Sequence, residues 1–299
     1  MRRALVWLLL VPALAAGCGG QGSHAAPADR GARAGLISIG HGRSLFLDCA
    51  GSGGPTVILD AGFGAGAAAW GAVQPQLART TRTCSYDRSG VGESVGRPGV
   101  HDAGDEIEDL ERLLARAHVD PPYVLVGHSY GGVLARVFAQ RHPTETAAVV
   151  LIDTMGRDGR RRQLAIWPES EAPEKRRLLA ASVIGDVDLG AGEALADGLQ
   201  TLGATPLAVV TAGREDSFPR SPTQLAAAMR RLWNRMQDEL AALSSNSIHV
   251  VALRSNHDVP SPRTGEPAIV VRATRAVVRA ARDHAPLPPC RSLFRSCRT

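Results

Sequence analysis

Ser129 stands in the run Gly127-His128-Ser129-Tyr130-Gly131, a G-x-S-x-G arrangement with a further glycine at 132. Glycines two before and two after the serine leave room for a sharp strand-to-helix turn that lifts the hydroxyl clear of a sheet, a nucleophile elbow. The flanks fit that setting. Tyr123-Val124-Leu125-Val126 has buried-strand composition, and Val133, Leu134, Val137 and Phe138 recur at the spacing of one helix face.

A serine hydroxyl is a poor nucleophile near neutral pH, so Ser129 needs a base within hydrogen-bond reach and a third group to orient that base. His257 follows the apolar stretch 248–253 by a short loop and is the candidate base. His249 lies inside that stretch and would point sideways. His128 is expected to pack or bond locally, and His41, His101 and His118 are expected at the surface. Two carboxylates compete for the orienting role. Asp216 follows the strand pattern 206–211 across the loop Ala212-Gly213-Arg214-Glu215-Asp216 and is preferred; Asp153, directly after Val149-Val150-Leu151-Ile152, is the alternative, with Glu215 behind both. An oxyanion formed at the substrate carbonyl needs aimed hydrogen-bond donors. The backbone N–H of Tyr130 is one candidate. Phe63 is the other, in the Gly-rich loop Asp60-Ala61-Gly62-Phe63-Gly64-Ala65-Gly66, which matches neither a phosphate-binding loop nor a dinucleotide fingerprint.

These residues must be carried by alternating strands and helices. Strands are expected near 36–39, 44–49, 56–60, 82–86, 122–127, 147–152, 206–211 and 247–253, and helices near 68–79, 103–117, 131–141, 223–243 and 265–282. Short apolar runs alternating with longer helical patterns indicate an α/β fold with a mostly parallel sheet of eight strands, helices on both faces, and an antiparallel start. Residues 154–203 break the alternation. Their two helical patterns, near 172–184 and 191–202, suit a small helical cap inserted after the sixth strand.

The pattern formed by Asp60 to Gly66, by Tyr86-Asp87-Arg88-Ser89-Gly90-Val91-Gly92-Glu93-Ser94, by Val126 to Gly132 and by Asn256-His257-Asp258 resembles the cap-bearing, esterase-like branch of the α/β-hydrolase family. The resemblance covers about 36–283. It implies a metal-free, cofactor-free hydrolase that forms an acyl-enzyme at Ser129, and a turn at 86–94 that shapes the site, with Asp87 and Arg88 as a structural ion pair. A serine at the nucleophile position argues against the dehalogenase and epoxide hydrolase branches. Carboxylic-ester hydrolysis is the leading expectation; acyl transfer through the same residues, or a surface binding module on the same fold, are the alternatives. The partner is a small ester or acyl substrate, of unassigned identity.

Residues 1–17 have the layout of a secretory signal, with Arg2 and Arg3 ahead of an apolar segment. Leu14-Ala15-Ala16-Gly17-Cys18 resembles a lipobox, which would make Cys18 a lipidation site and membrane anchor, although Ala13-Leu14-Ala15 also suits ordinary signal cleavage and free secretion. Residues 18–35 read as a flexible tether, 36–283 as the hydrolase domain, and 284–299 as a tail. Export makes the cysteines legible as disulfides, Cys49 with Cys84 and Cys290 with Cys297 by proximity, the alternative for the first two being free buried thiols. Loss of Arg2 and Arg3 leaves 32 basic and 29 acidic residues, a net of +3, too mild a charge to argue for nucleic acid. Oligomeric state is not legible.

Overall fold

The apolar runs of the sequence become neighbouring strands in the computed structural model, which describes residues 33–169, 173–214 and 223–298. In chain order the strands are β1 (Arg33–Gly40), β2 (Arg43–Ala50), β3 (Thr56–Asp60), β4 (Thr83–Tyr86), β5 (His101–Asp102), β6 (Tyr123–His128), β7 (Thr146–Ile152), β8 (Val183–Ile184), β9 (Val187–Asp188), β10 (Leu207–Ala212), β11 (Ser247–Ala252) and β12 (Cys297–Arg298). The helices are α1 (Gln74–Leu77), α2 (Ala103–Arg116), α3 (Tyr130–Arg141), α4 (Gly159–Ile166), α5 (Pro173–Ala180), α6 (Leu189–Asp197), α7 (Thr223–Ala241), α8 (Pro267–Asp283) and α9 (Cys290–Leu293).

The main sheet has nine strands in the order β1-β2-β4-β3-β6-β7-β10-β11-β12. Strands β4, β3, β6, β7, β10 and β11 run parallel to one another, while β1, β2 and β12 are joined antiparallel. The central strands are apolar throughout because both faces are covered. Leu125, Val149 and Val209 face a core shared with Leu113 of α2 and Leu134 and Phe138 of α3. Their neighbours Val124, Val126, Val150 and Val210 face the opposite core, with Trp70, Leu77 of α1 and Val270 and Val277 of α8. Successive side chains on a strand point to opposite faces, so one run supplies both cores.

Three expectations change. The sheet gains a ninth strand, β12, so residues 284–299 contribute structure: the Cys290–Cys297 disulfide closes this segment, Phe294 is buried, and Val250 of β11 pairs with Cys297. Strand β1 takes in residues 33–35, which read as tether in the sequence, and Arg33 pairs with Cys49. The helix expected near 68–79 is a 3-10 turn at Ala67–Trp70 followed by the four-residue α1, with Pro75 in its first turn. Cys49 and Cys84 are bonded across the β2–β4 pair. The inserted segment folds as α4, α5 and α6, with β8 and β9 joining β5 in a small separate sheet. Residues 1–32, which hold the expected signal and Cys18, lie outside the described residues. Among the described residues no helix is long and apolar enough to cross a membrane.

Candidate active site

Ser129 occupies the corner between β6 and α3 with φ +53° and ψ −116°, a conformation that L residues seldom adopt. The glycines around it are required by contact. A Cβ on Gly127 would lie 2.2 Å from the Gly131 carbonyl oxygen, and one on Gly131 would lie 2.2 Å from the Asp60 carbonyl oxygen. The Ser129 N–H donates to the Ile152 carbonyl at 2.9 Å, tying the corner to the end of β7.

His257 sits in the loop after β11, with Nε2 2.9 Å from Ser129 Oγ and Nδ1 2.7 Å from Asp153 Oδ2. Asp153 directly follows β7, is buried, and has φ +43°. Its Oδ1 accepts from the Ala212 N–H at 3.0 Å and from Trp233 Nε1 at 2.8 Å. Donors to both oxygens fix the direction of the carboxylate. Burial pulls the His257 pKa down, but the hydrogen bond and charge of Asp153 outweigh it, and the net shift is upward. His128 Nε2 lies 2.8 Å from the His257 carbonyl oxygen. Burial, aided by the neighbouring His257, lowers the His128 pKa to about 4, so the ring is neutral near pH 7 and its Nε2–H donates to that carbonyl.

Of the candidate residues, Ser129, His257 and the alternative acid Asp153 are brought together; Asp216 and Glu215 lie outside the described residues. Among the described residues, the carboxylate against His257 is that of Asp153. It reaches the site because β7 lies beside β6 in the sheet, which puts the end of β7 next to the serine corner. The bond from His128 to the His257 loop and the indole of Trp233 on Asp153 are contacts that sequence reasoning missed. A buried polar ring next to the serine was a signal for the first, and no local pattern marked the second. His249 points away, into Thr211 and Asp238, as its place in the strand suggested. His101, expected at the surface, is buried 3.4 Å from Glu106.

The Gly-rich loop after β3 lies against the serine. Gly62 is close enough that an added Cβ would stand 3.4 Å from Ser129 Cβ, and the rings of Phe63 and Tyr130 meet edge to face at 6.3 Å. Arg88 pairs with Asp60 at 2.5 Å, not with Asp87, whose carboxylate instead accepts from the Ala67 and Glu93 N–H groups at 2.7 and 3.0 Å. Sequence adjacency suggested the Asp87–Arg88 pair. Neighbours on an extended segment project to opposite sides, so each finds a different partner.

Beside Ser129 and His257 is a cavity of about 280 Å³. Phe63, Tyr130, Val133, Met155, Leu189 and Trp233 give it an apolar lining, and the inserted segment adds Arg160, Gln163 and Glu193. Arg160 meets both Glu193 oxygens, at 2.9 and 3.3 Å, and donates to the carbonyls of Leu179 and Ala181. Burial of Glu193 raises its pKa despite the guanidinium.

Residues 55–173 match the family model described as the alpha/beta hydrolase fold. Protein YqjL of Bacillus subtilis is 28% identical over 211 residues, 70% of this chain and 79% of that protein. A pimeloyl-[acyl-carrier protein] methyl ester esterase of Chromobacterium violaceum is 33% identical over 163 residues, covering 54% of this chain and 59% of the esterase. Other curated relatives are matched over much smaller shares, 15% and 18% of two long proteins from Schizosaccharomyces pombe and Hormonema carpetanum. Among solved structures, a thermophilic esterase from Thermogutta terrifontis superposes with a TM-score of 0.56 at 22% identity, over 84% of this chain and 99% of the esterase. Matching sequence, sheet topology and structural likeness together show that this chain has the α/β-hydrolase fold.

Proposed function

We propose that the protein is an exported serine hydrolase that cleaves carboxylic esters. The observation that carries this reading is the continuous hydrogen-bonded chain from Ser129 through His257 to Asp153 at the mouth of a cavity. Ser129 Oγ attacks the ester carbonyl while its proton passes to His257 Nε2. Asp153 holds the ring with Nδ1–H directed at itself and stabilises the imidazolium. The backbone N–H groups of Phe63 and Tyr130 receive the oxyanion. Collapse of the tetrahedral species transfers the Nε2 proton to the leaving alcohol and leaves Ser129 acylated; water, deprotonated by the same nitrogen, then releases the acid.

The small cavity of about 280 Å³ and its apolar lining support short acyl groups. Two disulfides support an oxidising compartment, and Cys18 remains the proposed lipid anchor, secretion after signal cleavage being the other outcome. The test is turnover of short-chain p-nitrophenyl esters by protein lacking residues 1–18. Release of p-nitrophenol is expected and should vanish in Ser129→Ala; retained turnover in that variant overturns the nucleophile assignment.

A further inference from the structure

The oxyanion loop is pinned from behind by one buried side chain. Arg88 Nη1 donates to the Ala61 carbonyl at 2.7 Å, and Nη2 donates to the Gly62 carbonyl at 2.6 Å. The guanidinium is itself held by Asp60, which also accepts from the Tyr86 hydroxyl at 2.7 Å, and Glu106 lies 3.7 Å from its Nε. Its carbon sits 5.4 Å over the Tyr130 ring. This one side chain therefore touches both elements that carry the proposed oxyanion donors. Burial disfavours the guanidinium charge, but Asp60 and Glu106 outweigh that cost and keep it protonated.

A trans peptide places its C=O and N–H in opposite directions in one plane. With the Gly62 oxygen turned toward Arg88, the N–H of Phe63 must point away from the guanidinium. Among the described residues that N–H has no hydrogen-bond partner. Gly62 itself packs against Ser129 Cβ, and Phe63 lines the cavity beside Ser129. A second bond to the same Gly62 oxygen, from the Ala65 N–H at 3.1 Å, closes the loop but leaves its tilt to the side chain behind it.

We infer that Arg88 is a positioning residue for the oxyanion hole: by holding the Ala61 and Gly62 carbonyls it aims the Phe63 N–H at the substrate oxygen in the tetrahedral state. The inference rests on the proposed serine mechanism. It goes beyond that mechanism by assigning transition-state geometry to a group that touches no substrate.

Arg88→Lys is the first test, since an ammonium can still pair with Asp60 but cannot fork onto two successive carbonyls. A misaimed donor should lower kcat by about 10- to 100-fold with KM nearly unchanged, because the donor acts in the transition state. Affinity for a boronic acid that forms a tetrahedral adduct on Ser129 should fall in parallel, while inhibition by a non-reactive ketone-free analogue of the substrate stays the same. Asp60→Asn, which preserves shape while loosening the hold on Arg88, should show the same split at about 3- to 10-fold and decides the matter if Arg88→Lys does not fold. A folded variant that keeps wild-type kcat, or whose loss lies in KM, overturns the inference. Ser129→Ala in the same assay keeps the two readings apart: an inactive Ser129→Ala beside a fully active Arg88→Lys removes only the role of Arg88.

Discussion

In the proposed reaction His257 accepts a proton only while Nε2 is unprotonated, so the pH at which it charges sets the acid limb of the rate profile. Burial alone would push that pH down. The Asp153 hydrogen bond and charge push it up by more, and the limb of kcat/KM is expected to have its midpoint above the ordinary histidine value of about 6.5. The same coupling favours the folded state when His257 is protonated. That increment is complete below the unfolded value of about 6.5 and is lost as pH rises through the folded value. Replacing Asp153 by Asn removes the charge that raises the pKa and the acceptor that fixes the ring. The variant should shift the acid limb downward and lose roughly 10⁴-fold in kcat, the scale seen when such an acid is neutralised in another serine hydrolase. A limb that stays in place would assign the titration to another group and detach Asp153 from His257.

At the scale of elements, the inserted segment is fastened to itself at the cavity wall by Arg160 of α4, whose bonds to Glu193 of α6, to the Leu179 carbonyl in α5 and to the Ala181 carbonyl just after it join three short helices. Arg160→Ala would strand a largely buried carboxylate and two acceptors, costing on the order of 2 kcal/mol or more. The expected result is a KM several-fold higher with kcat little changed, together with faster proteolysis within 159–197; an unchanged KM would show that the pair does not shape the bound state. Residue order predicted helices in this inserted segment but not its fastening, because α4 lacks a strong apolar stripe and the partners of Arg160 lie 19 to 33 residues away. The central strands and the helices α2, α3, α7 and α8 were legible because long apolar runs and periodic faces have one good solution. The two-residue strand β12 has no period to read. The acid was ambiguous for a different reason: Asp153 and Asp216 both follow strands, and local spacing carries no information on which neighbouring strand end meets His257. Asp153 meets His257 because β7 lies beside β6, and Trp233 of α7 holds its carboxylate; Asp216 lies outside the described residues.

The two disulfides act on the molecule as a whole and unequally. Cys49–Cys84 spans 35 residues of sequence and encloses β3, the Gly-rich loop and α1, whereas Cys290–Cys297 spans 7 and encloses only α9 and the turn into β12. If each acts chiefly by restricting the unfolded chain, the first contributes about 4 kcal/mol and the second about 2 kcal/mol. Accessibility separates them further. Both cysteines of the first pair are fully buried between β2 and β4, while those of the second are half-buried at the sheet edge. Mild reductant should therefore open Cys290–Cys297 while the protein is still folded, with a small fall in Tm, and should reach Cys49–Cys84 only as the sheet unfolds. Denaturant titration of the paired alanine variants Cys49→Ala with Cys84→Ala, and Cys290→Ala with Cys297→Ala, gives the two contributions separately. The first pair should lose about twice as much stability as the second. Equal losses, or a larger loss at the sheet edge, would mean that β12 stabilises through its packing on β11 and that loop closure is not what ranks the two bonds.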